Sequence, residues 1–466
     1  MYGKTLVNPD LNDFVPRIGF AFAPTHIFSI RGGFGTGYVH YMRAGSGDIT
    51  AINAPQAQFA AVNQIAPTTT DHCSTPLPAQ IIAMGTTTPT RYATAAQGFP
   101  AGLVTSFNPS TDNITWVPKN TRDSYVENYY LAVQRQITKN SLVDIAYVGN
   151  HGLKLQAFLN GNQRNIIDSP SSNTYTYSRP FANWPSDITE ALNEANSNYN
   201  ALEARYEQRM VAGLTLLNSF TWAHSLDNAS ASLEGNTPSQ QDANNLKAEY
   251  AQSDYNLPIA NITSLVYDLP FGRGRKFGQH LNPMVDGVLG GWEVSADNTA
   301  QAGTPFNLTY GPNSAQLAST QIVANYRGVN LYRPNRIPGV PLTQGRSVVA
   351  SATTGYIQYI NYKAVALPAI DNANGAVQPP FGNMSRNPGR TPPLYQTDLD
   401  FNKIFNTSKE GMKIEFRSEF YNIFNHSNLY LPSTISGTQG ANASTGGLIS
   451  STFTPRVIQF GLKISY

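Results

Sequence analysis

Alternation of apolar and polar residues with a period of two is the dominant pattern along this chain. Near its end, apolar side chains occupy every second position: Ile458, Phe460, Leu462, Ile464 and Tyr466. Alternation over about ten residues that ends on an aromatic ring is typical of a membrane-spanning β-strand with one face in lipid. These five residues are therefore predicted to form the lipid-facing side of a C-terminal strand.

The same alternation recurs along the rest of the chain and predicts further strands. They cover residues 14–22, 26–38, 125–137, 142–149, 202–209, 214–224, 259–269, 292–308, 395–405 and 412–424. Together with the terminal strand this makes about eleven strands. Helical periodicity is nearly absent, and residues 188–195 are the best helix candidate. The sequence thus predicts an all-β fold.

In two of these strands the polar face is fully charged. The residues concerned are Glu203, Arg205, Glu207, Arg209, Lys413, Glu415, Arg417 and Glu419. Side chains that face the lumen of a membrane barrel contact water and tune its selectivity, so these are candidate lumen-facing residues along a substrate path. The alternative is a solvated inner wall with cross-strand ion pairs, each worth under about 1 kcal/mol. Lys403 departs from the pattern, because it lies on the apolar side of its strand.

The predicted connections alternate between short and long. The long ones are about residues 39–124, 150–199, 225–257, 309–394 and 425–455. Outer-membrane barrels combine short periplasmic turns with long extracellular loops, so we expect a single partial barrel domain over residues 1–466. If the last strand ends in the periplasm, the first predicted strand runs in the same direction. The two cannot close an antiparallel barrel, and we expect further strands upstream.

Composition and charge narrow the class of protein. Only 13% of the 466 residues are charged and the net charge is +2. The chain therefore lacks the excess of positive charge that is typical of nucleic-acid-binding proteins. The mean hydropathy is −0.30, and no window approaches the roughly 18 apolar residues of a membrane-spanning helix. A membrane role therefore requires strands, whose hydropathy signal is weak because every second residue faces the lumen.

The sequence offers no constellation for catalysis. Cys73 is the single cysteine, and the seven histidines form no i, i+4 pair. We therefore predict no catalytic residue, no metal site and no cofactor. The segment Gly272-Arg-Gly-Arg-Lys276 resembles a basic patch for phosphate or nucleic acid, but we interpret it as a solvated turn, in which glycines provide positive φ and basic residues stay in water. No secretory signal is recognisable at residues 1–10.

Several strings, in the order in which they occur, resemble Oar-like TonB-dependent receptors of the carboxypeptidase-regulatory-like domain type. They include Val15-Pro-Arg-Ile-Gly-Phe-Ala21, Tyr130-Leu-Ala-Val-Gln-Arg-Gln136, Asp144-Ile-Ala-Tyr-Val-Gly-Asn150, Phe220-Thr-Trp-Ala-His-Ser-Leu-Asp227, Tyr267-Asp-Leu-Pro-Phe-Gly-Arg-Gly-Arg-Lys-Phe277, Asp398-Leu-Asp-Phe-Asn-Lys403 and Glu419-Phe-Tyr-Asn-Ile-Phe-Asn425. The resemblance implies the C-terminal portion of a barrel of about 22 strands. It also implies energy supplied by the TonB complex and a plug domain, which we expect to lie outside residues 1–466.

Three functions remain open at this point. The first is a receptor and transporter of the bacterial outer membrane, contacting lipid, engaging the barrel-assembly machinery through its last strand, and taking up a nutrient that the sequence does not identify. The second is a barrel fragment or structural outer-membrane protein without transport. The third is a secreted soluble β-protein that binds glycans, in which the apolar face packs as a sandwich.

Overall fold

The computed structural model describes eleven stretches of the chain. They are residues 8–39, 114–163, 166–171, 174–184, 188–230, 240–309, 333–346, 355–366, 381–406, 412–432 and 447–466. Cys73 and most of the predicted loop 39–124 lie outside these stretches.

Eleven long strands form one antiparallel sheet. They are β1 (Arg17–Thr25), β2 (Phe28–Tyr38), β3 (Tyr125–Thr138), β4 (Ser141–Asn160), β5 (Ile188–Val211), β6 (Leu214–Asp227), β7 (Ile259–Asp268), β8 (Trp292–Gln301), β9 (Leu394–Asn406), β10 (Lys413–Tyr421) and β11 (Val457–Ser465). Each strand pairs with the next in the chain, from β1 at one edge to β11 at the other. The fold class, the strand number and the parallel direction of β1 and β11 are thus confirmed.

Shorter elements lie in the connections between the long strands. The helices are α1 (Pro283–Leu289) and two 3-10 turns at Leu246–Glu249 and Tyr362–Ala364. The short strands are Ile114–Trp116, Ile166–Ser171, Thr174–Ser178, Ala251–Gln252, Pro305–Phe306, Asn335–Arg336, Ile357–Gln358, Val365–Ala366, Gly389–Arg390 and Leu448–Ile449. None of the helices in the described residues is long and apolar enough to cross a membrane.

The region between β4 and β5 differs from the sequence prediction. Residues 188–195, the helix candidate, form the first part of β5, so that prediction is wrong. Phe158 pairs with Ala191 and Leu155 with Ala195, and this antiparallel pairing overrides the weak local helical pattern. Because β4 continues to Asn160 and β5 begins at Ile188, the predicted loop 150–199 is also too long.

Helix α1 is an element that the apolar pattern did not predict, within the connection from β7 to β8. The side chain of Asn282 accepts a hydrogen bond from the backbone N–H of Val285 at 2.9 Å, and Pro283 occupies the first turn. An asparagine cap followed by proline is a common helix start. With seven residues, the helix is too short for an apolar stripe to show in the sequence.

The register divides the sheet into two faces, because directly paired residues share a face and successive residues alternate. One row of paired residues on β2 to β9 is polar except at a single position: Ser29, Gln134, Asp144, Arg205, Ser219, Ile262, Thr299 and Gln396. The neighbouring row on β1 to β6 points to the other side and is wholly apolar: Phe22, Ile30, Val133, Ile145, Ala204 and Phe220. We call these the charged face and the apolar face.

The apolar face continues to the last strand. Phe460 is 69% exposed and Leu462 67% exposed, and they pair with Ser418 and Phe416 of β10. Large apolar side chains exposed in a continuous band are expected to contact lipid rather than water.

We therefore expect Phe460→Arg and Leu462→Arg each to lower the free energy of unfolding by about 2–4 kcal/mol, since both positions lie near the middle of the band. The measurement is a urea titration of the complete outer-membrane protein in lipid bilayers. Gln459→Arg is the matched control, because residue 459 lies on the opposite face of the same strand. Equal destabilisation by Gln459→Arg and Phe460→Arg would contradict this register.

Candidate functional site

The charged face contains both charged ladders that the sequence predicts. On β5, Arg205 Nη2 lies 2.9 Å from Glu207 Oε2, and Arg209 also pairs with Glu207. On β10, Arg417 Nε lies 2.6 Å from Glu415 Oε1. Each ladder forms ion pairs along its own strand. The two ladders share a face, but they are separated by β6 to β9 and do not contact each other.

A charged cluster that sequence reasoning did not find extends the β5 ladder toward β2. Arg31 Nη2 donates to Gln134 Oε1 at 3.0 Å and lies 3.2 Å from Asp144 Oδ2. Asp144 is paired directly with Arg205 across β4 and β5. Extending the alternation of β2, β3 and β4 to their polar positions would have placed these three residues on one face. Their alignment still depends on the strand register, which the sequence does not show.

The charged face becomes acidic toward β8, β9 and β10. Its carboxylates there include Glu293, Asp297, Asp398, Asp400 and Glu419. Asp297 lies directly opposite Asp398, and Asp400 lies directly opposite Glu419. Hydrogen bonds from neutral side chains stabilise part of this charge. Ser264 Oγ donates to Asp297 at 2.5 Å, and Gln396 Nε2 donates to both oxygens of Asp398 at 3.1 and 2.9 Å.

A cavity of 390 Å³ lies on the charged face beside the turns that join β1 to β2 and β3 to β4. His26, Gln134, Lys139, Glu207 and Arg209 are among its lining residues. Two of the predicted lumen residues, Glu207 and Arg209, thus line a concave site that has both polar and apolar walls. Within the ranges that the structure describes, no group of three or more His, Cys, Asp or Glu side chains could hold a metal ion.

Lys403, the exception in the sequence pattern, lies on the apolar face and is 3% exposed. Its Nζ donates to the backbone oxygen of Gly290 and lies 5.4 Å from the centre of the Trp292 ring and 5.0 Å from that of Phe405. A carbonyl and two rings compensate the ammonium group for its lost water. Trp292 and Phe405 therefore both have Lys403 as a contact partner.

The connections β6–β7 and β8–β9 pack together through buried ion pairs. Arg333 and Glu249, each 1% exposed, form a bidentate pair with distances of 2.6 and 2.7 Å. Arg386 pairs with Asp227 and lies 3.0 Å from Asp254. A buried charge is tolerated only when it is paired and hydrogen-bonded, and these arginines meet both conditions.

An apolar cluster and a third arginine complete this part of the molecule. Phe306, Leu308, Ile360, Ala364, Val365 and Met384 form a buried cluster. Arg390 Nη1 donates to the backbone oxygens of Asn256 and Gly303 at 2.9 and 3.1 Å, and burial lowers the pKa of its guanidinium. Tyr359 Oη donates to the Arg390 carbonyl at 2.8 Å, and burial raises the pKa of this phenol. We call the ion pairs and this cluster the loop core.

The loop core is not predicted from the sequence, which indicates the long connections only as extracellular loops. Glu249 and Arg333 are 84 residues apart, and no local sequence pattern predicts their pairing. The sequence signal that could have indicated buried ion pairs is the presence of charged residues in otherwise neutral, tyrosine-rich connections.

Residues 1–459 match the protein family described as outer membrane beta barrel domain. The chain belongs to this family. Its place in the cell is the outer membrane, as the apolar face and the alternating connections also predict. No curated protein matches the chain.

Several solved outer-membrane structures resemble this barrel chain at low identity. The outer membrane transporter YddB from Escherichia coli is 10% identical, with a TM-score of 0.40 over 94% of this chain and 38% of that chain. The siderophore receptor PiuA from Acinetobacter baumannii is 8% identical, with a TM-score of 0.40 over 97% and 36%. The pyoverdine-bound FpvA from P. aeruginosa is 9% identical, with a TM-score of 0.37 over 97% and 33%. This chain therefore spans about a third of each of these proteins.

Removing one partner of the buried Arg333–Glu249 ion pair is expected to destabilise the loop core. Arg333→Met should lower the local stability by about 3–5 kcal/mol, because it leaves the Glu249 carboxylate buried and unpaired. The double variant Arg333→Met/Glu249→Leu should recover most of that loss. The measurement is hydrogen exchange of the amides of residues 241–256.

Arg417→Gln on the charged face is the control for this prediction. Its side chain is 49% exposed, so losing its pair with Glu415 should cost under about 1 kcal/mol. Equal protection of residues 241–256 in wild type and Arg333→Met would contradict the role of the loop core.

Proposed function

We propose that this barrel chain is the C-terminal part of a TonB-dependent outer-membrane receptor that takes up a polar nutrient. One observation carries the proposal: a mostly polar, charged face lies opposite a mostly apolar face across the same strands. A wall with lipid on one side and water on the other needs this division. The charged face is then the lumen wall, and the apolar face contacts lipid.

The sidedness of the connections supports the same proposal. The turns His26–Ile27 and Lys139–Asn140 are two residues long, whereas the connections that form the loop core are long and folded. With short turns in the periplasm, the loop core lies outside the cell at the mouth of the barrel. A packed loop core would keep the groups that meet a solute in fixed positions, which reduces the entropy lost on binding.

The subtype and the energy source rest on the sequence strings rather than on the geometry. Those strings resemble Oar-like receptors, for which a longer protein would supply the plug domain and the separate TonB complex would supply the energy. The terminal strand β11, with Ile458, Phe460, Leu462, Ile464 and Tyr466 on its apolar face, is the segment proposed to engage the barrel-assembly machinery. Lipid and a polar solute are the other partners of the proposal.

The two alternatives make different demands on the molecule. A soluble glycan-binding sandwich needs a second sheet over the apolar face, and no second large sheet exists among the described residues. Its outer-membrane family also argues against that alternative. A structural barrel without transport has the same two faces, and only a transport measurement separates it from the receptor.

Deletion of the complete gene from the producing bacterium is expected to abolish accumulation of one class of labelled solute. The classes to compare are carbohydrates, peptides and iron chelates. The double variant Asp144→Asn/Arg205→Gln should reduce that uptake several-fold at equal surface abundance, since it removes charge from the lumen wall. A proton uncoupler should stop uptake by the wild type.

The matched control is Ile145→Val, a conservative change on the opposite face of β4, which should leave uptake unchanged. Unaltered uptake of every solute class after deletion would favour the structural barrel. Uptake that survives the uncoupler would contradict energised transport.

A further inference from the structure

A patch of polar side chains interrupts the apolar face at strands β6 to β9. It consists of Asn218, Asn261, Thr263, Asn298 and Thr397, which we call the amide patch. Thr263 pairs directly with Asn218 on one side and Asn298 on the other, and Asn298 pairs with Thr397. Asn261 lies two residues from Thr263 and therefore on the same face. The patch crosses four neighbouring strands, a width of roughly 15 Å.

Apolar residues flank the amide patch along each strand, so it lies within the proposed lipid band. On β6, the same face carries Leu216 below Asn218 and Phe220 above it. On β9, Leu399 follows Thr397 on the periplasmic side. Polar groups that face hydrocarbon are destabilising unless they find hydrogen-bond partners, and the inner charged face offers them none.

Hydrogen bonds within the amide patch satisfy only some of its side-chain donors and acceptors. Asn218 Nδ2 donates to Asn261 Oδ1 at 3.0 Å and to Thr263 Oγ1 at 2.7 Å. Asn298 Nδ2 donates to Thr397 Oγ1 at 2.8 Å. In the described part of the chain, the Oδ1 atoms of Asn218 and Asn298 accept no hydrogen bond. The hydroxyl protons of Thr263 and Thr397 likewise have no acceptor there.

The unused groups are complementary to one another: two amide oxygens that accept and two hydroxyls that donate. Two copies of one barrel in the same membrane share their orientation, so a two-fold axis along the membrane normal brings the same patch of each copy to the same depth. Lipid tails contain no hydrogen-bonding group and cannot satisfy these atoms, whereas a second copy can.

We infer that the amide patch is the contact surface of a homodimer in the outer membrane, with Asn298 close to its counterpart near the two-fold axis. The inference rests on the proposal that the apolar face contacts lipid. It does not depend on transport, and a dimer could form whether or not the barrel carries a solute.

Cross-linking of single cysteines in native outer membranes tests the inference. After the native cysteine is removed by Cys73→Ser, Ala296→Cys, two residues from Asn298 on the same face of β8, should give a product of twice the monomer mass with a short bis-maleimide. Ile145→Cys is the control, because it lies on the same face but four strands away, roughly 19 Å. It should give no such product.

Leucine substitution tests the hydrogen-bonding groups themselves. Asn218→Leu/Asn298→Leu should remain assembled in the membrane but run as a monomer on native gels, whereas Ser418→Ala, a polar-to-apolar change elsewhere on the face, should stay dimeric. Equal cross-linking at residues 145 and 296, a product containing a different protein, or a dimer that survives the leucine substitutions would overturn the inference. If the wild type is monomeric yet transports, the dimer fails while the proposed function stands.

Discussion

Hydrogen bonding of the backbone between neighbouring strands is the constraint from which the other features of this chain follow. A strand in hydrocarbon must pair its N–H and C=O groups with those of other strands, because lipid tails have no hydrogen-bonding groups. Each of β1 to β11 pairs with the strands next to it in the chain, and that pairing fixes the register. The register in turn decides which side chains share a face, since a shift of one residue would exchange the two faces.

The two faces then divide the chemistry of the molecule between them. The charged face carries the ion pairs Arg31–Asp144 and Arg205–Glu207 near one edge and a concentration of carboxylates toward the other. The apolar face carries aromatic and branched side chains, with Lys403 held by a carbonyl and two rings. Outside the sheet, the Arg333–Glu249 pair shows that the long connections possess a core of their own.

Period-two alternation predicted the sheet well because it reports burial on one side of a strand, which is a local property. All eleven strands and the common face of Glu203 and Arg205 followed from it. It failed at residues 188–195, where pairing with β4 decided the conformation, and at α1, which is too short for periodicity. It could not find Arg31 beside Asp144, or Glu249 beside Arg333, because such contacts depend on how distant segments meet.

The most direct test of whether the apolar face contacts lipid and the charged face contacts water is the accessibility of spin labels along β11. Single cysteines placed at residues 457–465 after Cys73→Ser would each carry a nitroxide in the complete protein in bilayers. The account predicts that oxygen relaxes labels at 458, 460, 462 and 464, while a water-soluble nickel complex relaxes those at 459, 461, 463 and 465. Loss of this alternation, or alternation in the opposite phase, would contradict it.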